Sequence, residues 1–402
     1  MLRKVFFWLH LSVGVAAGLF IFVMAATGVM LSFERQIVEL VDRNVRLVSV
    51  PSEGKAMALN QQLDLIRRAG MGDPTAFVLS NRAQAATQFA IGRGKIAYVD
   101  PYSGALLGGS SARAHDFFST IERLHRTLGA QLGNKNMGRW LTGISNLLFA
   151  VLIPLGLLLW LPRKWNWKSV RASLLFRTGL GGKAREWNWH NVLGIWCALP
   201  LLVIALTGTV MSFDWANALL FRLSGSAPPA GGRTPDGTRP HGHESRTGLE
   251  PDYDRLFTAA KTLNPDWRTI TLNITRDANA PVTAVVDNGT GGQPQKRAQY
   301  LLKRDSGAVM KTTTFADGSL GQRLRSFVRF GHTGEYGGLP GQAIAAIASF
   351  GACVLVYTGL SLSIRRLTAK IASKRRNSNS ARDTYGKDLS LDGTKLVKRV
   401  HS

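Results

Sequence analysis

WLHLSVGVAAGLFIFVMAATGVMLSFE, residues 8–34, and NWHNVLGIWCALPLLVIALTGTVMSFD, residues 188–214, align without a gap at a constant offset of 180 positions. His10 falls on His190, Gly14 on Gly194, Thr27-Gly28 on Thr207-Gly208, Ser32-Phe33 on Ser212-Phe213 and Glu34 on Asp214. Each copy is apolar over the length that carries a helix through a bilayer, about 20 residues for roughly 30 Å of hydrocarbon. Self-similarity at a fixed offset marks a duplicated unit.

Two further apolar runs complete the set, so that the spans are about Val5 to Phe33, Trp140 to Leu161, Val192 to Phe213 and Gln342 to Ile364. Before the second stands RLHRTLG (123–129), and before the fourth RFGHTGEYGGLPG (329–341). Those spans also end alike, with Pro154-Leu155-Gly156 ahead of Arg163-Lys164 and Thr358-Gly359 ahead of Arg365-Arg366. DPYSGALLG (100–108) similarly matches KRDSGAVMK (303–311). The expectation is a membrane α-helical protein with four transmembrane helices from an internal duplication, each half running span, external domain, span. The boundaries expected are a first helix 1–34, an external lobe 35–139, a second helix 140–162, a basic loop 163–187, a third helix 188–215, an external lobe 216–341 with a disordered linker 224–248, a fourth helix 342–364 and a basic tail 365–402.

Arg3, Lys4 and the small residues Ala25 and Ala26 also fit a secretory signal. The third span copies the first, which favours a retained helix. Orientation follows from short basic flanks. Between the second and third spans lie Arg163, Lys164, Lys168, Arg171, Arg177, Lys183 and Arg185 against the single acid Glu186, and Lys374, Arg375 and Arg376 follow the fourth span. Both ends and this loop are therefore expected in the cytoplasm. Much of the formal net charge of +25 is then explained by topology and anionic lipid, with no call on nucleic acid. The loop PRKWNWKSVRASLLFRTGL reads equally as a helix in the headgroup layer or as a plain basic linker. Cys197 and Cys353 lie inside spans, without a Cys-x-x-Cys, and read as packing residues.

Each half carries one histidine at the cytoplasmic end of a span, His10 or His190, and one at the external side, His125 or His332. Ionisable groups in a membrane are costly and are functional candidates. Duplicated helices present two imidazoles at one depth, the arrangement that axial haem ligation needs; interfacial hydrogen bonding is the plainer use. Gly14 and Gly194, one turn on, leave room for a flat macrocycle, although Gly14-x-x-x-Gly18 also suits helix packing. Arg126, beside His125, and Arg329, three residues before His332, are candidate partners for propionates. Arg123 lies close to the same level, and all three arginines could instead pair with Glu34 and Asp214. His115, His241, His243 and His401 carry less: an exposed helix position, a Pro/Gly/Ser-rich linker and the tail. TAFVLS, TQFAIGR, KIAYVDPYSGALLG, WRTITLNIT, PVTAVVD and AQYLLKRDSGAVM, by their alternation and turn residues, read as strands and hairpins, small α+β pieces that together make a two-lobed external domain.

The WLH…G…TG…SFE span, DPYSGALLG, LHRTLG, HTGEYGGLPGQ and TGL…RR together resemble the PepSY-associated transmembrane helix family of bacterial inner-membrane proteins, which includes iron-regulated membrane proteins and siderophore reductases. The resemblance covers roughly residues 1 to 368. It implies periplasmic PepSY-like domains on a four-helix bundle holding haem b, two per chain on the histidine count, with His10, His125, His190 and His332 where the family has its histidines. It further implies electron transfer to a ferric siderophore, releasing ferrous iron. Ser363 in SLSIRR replaces the family's usual tryptophan, which bears on local packing. No Gly-x-Gly-x-x-Gly fingerprint is present, so the donor would be a cytoplasmic protein or a membrane quinol. Two other readings stay open: a non-enzymatic membrane anchor restraining a periplasmic partner, and a haem protein that reduces another acceptor.

Overall fold

The computed structural model describes residues 1–52, 54–92, 95–129, 135–161, 166–228, 250–275, 277 and 280–400. His241, His243, His401, Arg163 to Trp165 and most of the expected linker 224–248 lie outside them. Four helical stretches are long and apolar enough to cross a membrane, Leu2–Leu31, Met137–Trp160, Gly182–Ser212 and Glu335–Ser373. This is a membrane protein.

In chain order the elements are α1 (Leu2–Leu31), α2 (Glu34–Val41), α3 (Arg43–Arg46), α4 (Leu59–Arg68), β1 (Pro74–Ser80), β2 (Thr87–Ile91), β3 (Lys95–Val99), β4 (Leu106–Gly109), α5 (Ala112–Thr127) and α6 (Lys135–Trp160). There follow α7 (Trp167–Leu174), α8 (Gly182–Ser212), α9 (Asp214–Leu223), α10 (Tyr253–Leu263), β5 (Thr269–Asn273), β6 (Val282–Asp287), β7 (Arg297–Leu302), β8 (Val309–Thr314), α11 (Leu320–His332) and α12 (Gly338–Val400). The chain falls into two compact units. One comprises Met1–Phe22, Val151–Leu199 and Gly351–Ser402; the other comprises Val23–Ala150 and Pro200–Phe350.

The first unit is helical, and polar ties organise it. Arg3 donates to the carbonyls of Leu159 and Leu161 at the end of α6 (2.7 and 2.9 Å), which satisfies acceptors that have no partner within their own helix. Trp196 Nε1 likewise donates to Leu174 O at the end of α7. Cys197 is buried and Cys353 partly so, both unpaired, and Cys197 Sγ lies against Gly351. Ser363 turns its hydroxyl back onto Gly359 O (2.7 Å).

In the second unit the strands form one antiparallel sheet of eight, in the order β4-β3-β2-β1-β5-β6-β7-β8. The two external segments, expected to join in a two-lobed domain, share this one sheet because β1 pairs with β5, Phe77 opposite Leu272 and Ser80 opposite Thr269. The physical reason is edge satisfaction. β1 and β5 each end a run of four strands, and pairing them removes two exposed rows of backbone donors and acceptors. Alternation sets the faces: Ile270 and Leu272 of β5 are fully buried, whereas Thr269, Thr271 and Asn273 are half-buried. The apolar face packs under α4, through Leu59, Leu63 and Ile66, and under α10, through Tyr253, Leu256 and Ala260.

The β3–β4 and β7–β8 hairpins close with the same bonds. Asp100 N donates to Ala105 O and Gly104 N to Asp100 O; Lys303 N donates to Ala308 O and Gly307 N to Lys303 O. Gly104 and Gly307 both have positive φ, +73° and +70°, where a side chain would be strained. From the outer strands the chain enters α5 and α11. Ser111 caps α5, and Ser319 with Gln322 forms a capping box on α11. At the exit of α11, Gly334 (φ +76°) is pressed against Gly341 so closely that neither has room for a Cβ. This turn sets the end of α11 against the start of α12.

Candidate functional site

Each unit holds one pair of neighbouring imidazoles. In the first unit the rings of His10 and His190 have centres 6.4 Å apart and planes at 88°. In the second, His125 from α5 and His332 from α11 stand 6.2 Å apart at 65°.

The hydrogen bonds fix the tautomer. Thr27 donates its hydroxyl to Val23 O at 2.7 Å, Thr207 to Val203 O at 2.6 Å and Thr358 to Val354 O at 2.8 Å. The same threonine oxygens lie 2.9 Å from His125 Nδ1, 3.1 Å from His332 Nδ1 and 2.9 Å from His190 Nδ1. A hydroxyl whose proton is committed to a carbonyl can only accept, so each Nδ1 carries the hydrogen and donates it. His332 Nδ1 also reaches Ile204 O at 3.0 Å. Nε2 is thereby left as a bare lone pair, the form that binds a metal. His10 differs. Leu155 stands where Thr358 stands in the other half, and the buried His10 Nδ1 lies toward the Leu152 carbonyl without closing a hydrogen bond. Burial, with a smaller push from the facing His332, lowers the pKa of His125 to about 4. Burial also lowers His332. Both rings are neutral at pH 7.

A glycine next to each threonine, or next to Leu155, brings the neighbouring helix onto the ring edge. A Cβ on Gly156 would lie 3.2 Å from His10 Cε1, one on Gly359 3.3 Å from His190 Cε1, one on Gly28 3.6 Å from His125 Cε1 and one on Gly208 3.2 Å from His332 Cε1. The recurring Thr-Gly dipeptide was visible in the sequence, but its role as a cradle for the rings was not. Gly14 and Gly194 lie one turn beyond His10 and His190. A Cβ on Gly14 would meet no atom within 4 Å, and one on Gly194 only Leu355 Cδ2 at 3.9 Å.

The arginines are distributed differently from a simple reading of their proximity. Arg126 pairs with Glu122 on its own helix at 2.8 Å and is exposed, Arg123 bonds Ser119 and Thr120, and Arg329 lies over the Phe330 ring. Arg325, seven residues before His332, keeps Nη1 buried without a hydrogen-bond partner. Its pKa is lowered by burial and by Arg329. Seven residues return a helix to nearly the same face, about 10 Å along its axis. His115 is exposed.

Among curated proteins, none matches the chain. The family described as PepSY-associated TM region matches residues 7–366, through all four spans, both histidine pairs and the sheet. The chain belongs to the PepSY-associated transmembrane family.

Proposed function

We propose that this protein is a haem b-dependent ferric-siderophore reductase of a bacterial inner membrane, built by duplication, with its sheet in the periplasm as PepSY-like domains and its basic loop and termini in the cytoplasm. The observation that carries the reading is the separation of the rings. Two imidazoles that would hold one metal ion between their nitrogens, each at about 2.0 Å with the ring centre ~1.2 Å beyond, would have centres roughly 6.4 Å apart. The observed 6.4 and 6.2 Å fit that value at both pairs, and the bare Nε2 atoms supply the donors.

A haem at each pair would supply a one-electron couple, with His10 and His190 holding one iron and His125 and His332 the other. The chain's own residues do the positioning. Thr27, Thr207 and Thr358 lock the tautomer, and Gly28, Gly156, Gly208 and Gly359 let the neighbouring helices seat the rings. Arg325 keeps Nη1 buried without a hydrogen-bond partner, so it suits a propionate oxygen, with Arg329 one turn nearer His332. Arg126, exposed and ion-paired with Glu122, is the other candidate at the His125 side. The substrate is ferric iron held by hard oxygen donors outside the membrane; reduction to Fe(II) weakens that grip.

A pyridine haemochrome spectrum of detergent-purified protein from haem-replete cells tests the reading. About two b-type haems per chain are expected. Protein without haem overturns it and leaves a membrane anchor that restrains a periplasmic partner. Given two haems, oxidation of the dithionite-reduced protein by a ferric hydroxamate or catecholate, with ferrous iron trapped by ferrozine, separates siderophore reduction from use of another acceptor.

Thr358→Val keeps the volume and removes the acceptor for His190 Nδ1. Loss of such an outer-shell hydrogen bond typically costs about 10–100-fold in metal affinity. Haem transfer to apomyoglobin from the His10–His190 site should accelerate by that order, while the other site stays loaded.

A further inference from the structure

Phe213, the one residue between α8 and α9, is extended (φ −120°, ψ 127°), so the chain changes direction as it leaves the third span. On α9, Trp215, Leu219 and Leu223 are 56, 44 and 80% exposed and stand at i, i+4 and i+8, one line along the helix. Asp214, Ala218 and Arg222 form a second exposed line beside it. Ala216 and Phe221 are buried, Phe221 against α11, where a Cβ on Gly321 would lie 2.6 Å from its ring. Aromatic rings gather at the same level. The ring centre of Phe213 is 5.7 Å from that of Trp140, near the start of the second span, and 5.8 Å from that of Trp215. Arg139 beside Trp140 donates to the Ser212 carbonyl at 3.4 Å. Tryptophans at the ends of spans mark the level where a bilayer meets water.

Two contacts limit how far α9 climbs from the end of the span. Just past its C-terminal end, Ser226 Oγ accepts from the Gly321 N–H at 3.0 Å, and α11 then runs to His332, whose Nδ1 meets Thr207 of α8 at 3.1 Å. Gly321 to His332 covers about 16 Å of helix, of which α8 takes up about 10 Å between Thr207 and Asp214. Roughly 6 Å of climb remain for α9, itself about 13 Å long. The helix therefore lies closer to the membrane plane than to the axis of α8. We propose that α9 is seated in the headgroup layer at this end of the bundle, with its Trp215–Leu219–Leu223 line against phospholipid acyl chains and its Asp214–Arg222 line toward water. That line continues the lipid-facing surface of the third span, since α9 begins two residues after Ser212. A second copy of the chain is the poorer occupant, because one line of side chains about 12 Å long falls short of the ~800 Å² that each partner gives to a stable interface. The first half repeats the arrangement on α2, which begins three residues after the first span and exposes Ile37, Leu40 and Val41. The bilayer surface thus sets the height of α11, and of the His332 ring at its end, whatever that ring binds.

The test uses the full wild-type chain, one per disc, in nanodiscs of phosphatidylcholine that carries a diazirine in an acyl chain, photolysed and mapped by mass spectrometry. Adducts are expected on the segment 215–223 as well as on the four spans. Nitroxides on Leu219→Cys and Leu223→Cys, each in a Cys197→Ala, Cys353→Ala background, should collide more often with oxygen than with nickel-EDDA, and the order should reverse on Ala218→Cys. Should those variants fail to fold, the photolabel decides the matter, since it needs no substitution. Spans labelled without 215–223, or nickel-EDDA exceeding oxygen at both 219 and 223, overturns the proposal. So does protection of these positions that appears only in discs holding two chains, which would assign the line to a second copy. Neither readout depends on haem, so failure here leaves the earlier reading standing, and protein without haem leaves this one.

Discussion

On the proposed haem reading, protein with both His10 and His190 replaced by alanine should carry about one haem per chain where the wild type should carry about two, and the His125→Ala, His332→Ala protein should lose the other. In a b-type site the axial nitrogens are the protein's only bonds to the iron. Removing both therefore removes the site rather than weakening it. The selectivity follows from the architecture, because each pair and its tautomer-fixing neighbours fall within one compact unit. The measurement is haemochrome stoichiometry together with low-temperature EPR of the oxidised protein, in which one low-spin ferric signal should vanish from each double variant. Complete loss from either variant, or full retention in both, would refute the assignment of one iron to each pair.

A comparably large effect is expected at Gly208, where no histidine is replaced. A Cβ there would sit 3.1 Å from both Asn146 amide atoms and 3.2 Å from His332 Cε1. Asn146 has little freedom to retreat, since its Nδ2 donates to Ala205 O at 2.8 Å and to Thr209 Oγ1 at 2.9 Å. Overpacking a closed site typically costs about 1–3 kcal/mol, which corresponds to roughly 5- to 150-fold in affinity. Gly208→Val should therefore deplete the His125–His332 haem selectively on dilution or gel filtration. Gly28→Ala is the matched control. Its Cβ would meet His125 Cε1 at 3.6 Å and Ser349 Oγ at 3.7 Å, ordinary contact distances, so that variant should retain both haems. Equal behaviour of the two variants would mean that the glycine beside the ring does not set its position.

Much of the fold was legible because its signals are local. An apolar run of span length marks a crossing, and alternation in TQFAI or TITLN marks a strand whether or not its partner is known. The candidate histidines were legible for a different reason: the repeat put His10 over His190, and a conspicuous charge-capable ring at equal depth in two copies draws attention. The arginines were harder. Arg126 is next to His125 in sequence, and in the structure it is exposed and pairs with Glu122 on its own helix, a surface pair of small strength. Arg325 is two turns from His332 in sequence but nearly on the same helical face. Neighbourhood along the chain and neighbourhood on a helix differ, and side-chain commitments to other partners decide between them.

By itself the sequence determined the four spans, the strand-forming segments, the two hairpin turns with their obligatory glycines and the four candidate rings, because hydrophobic length, periodicity and backbone stereochemistry act over a few residues. Only the tertiary structure decided that β1 and β5 fuse the strands into one sheet, that a threonine hydroxyl bonds Nδ1 of three of the four histidines, that a glycine lies at the edge of each of the four rings, and that Ser361 and Arg365 hold the Glu186 carboxylate. Those outcomes depend on groups tens to hundreds of residues apart competing for the same hydrogen bonds and the same space, and no local pattern records which of them wins.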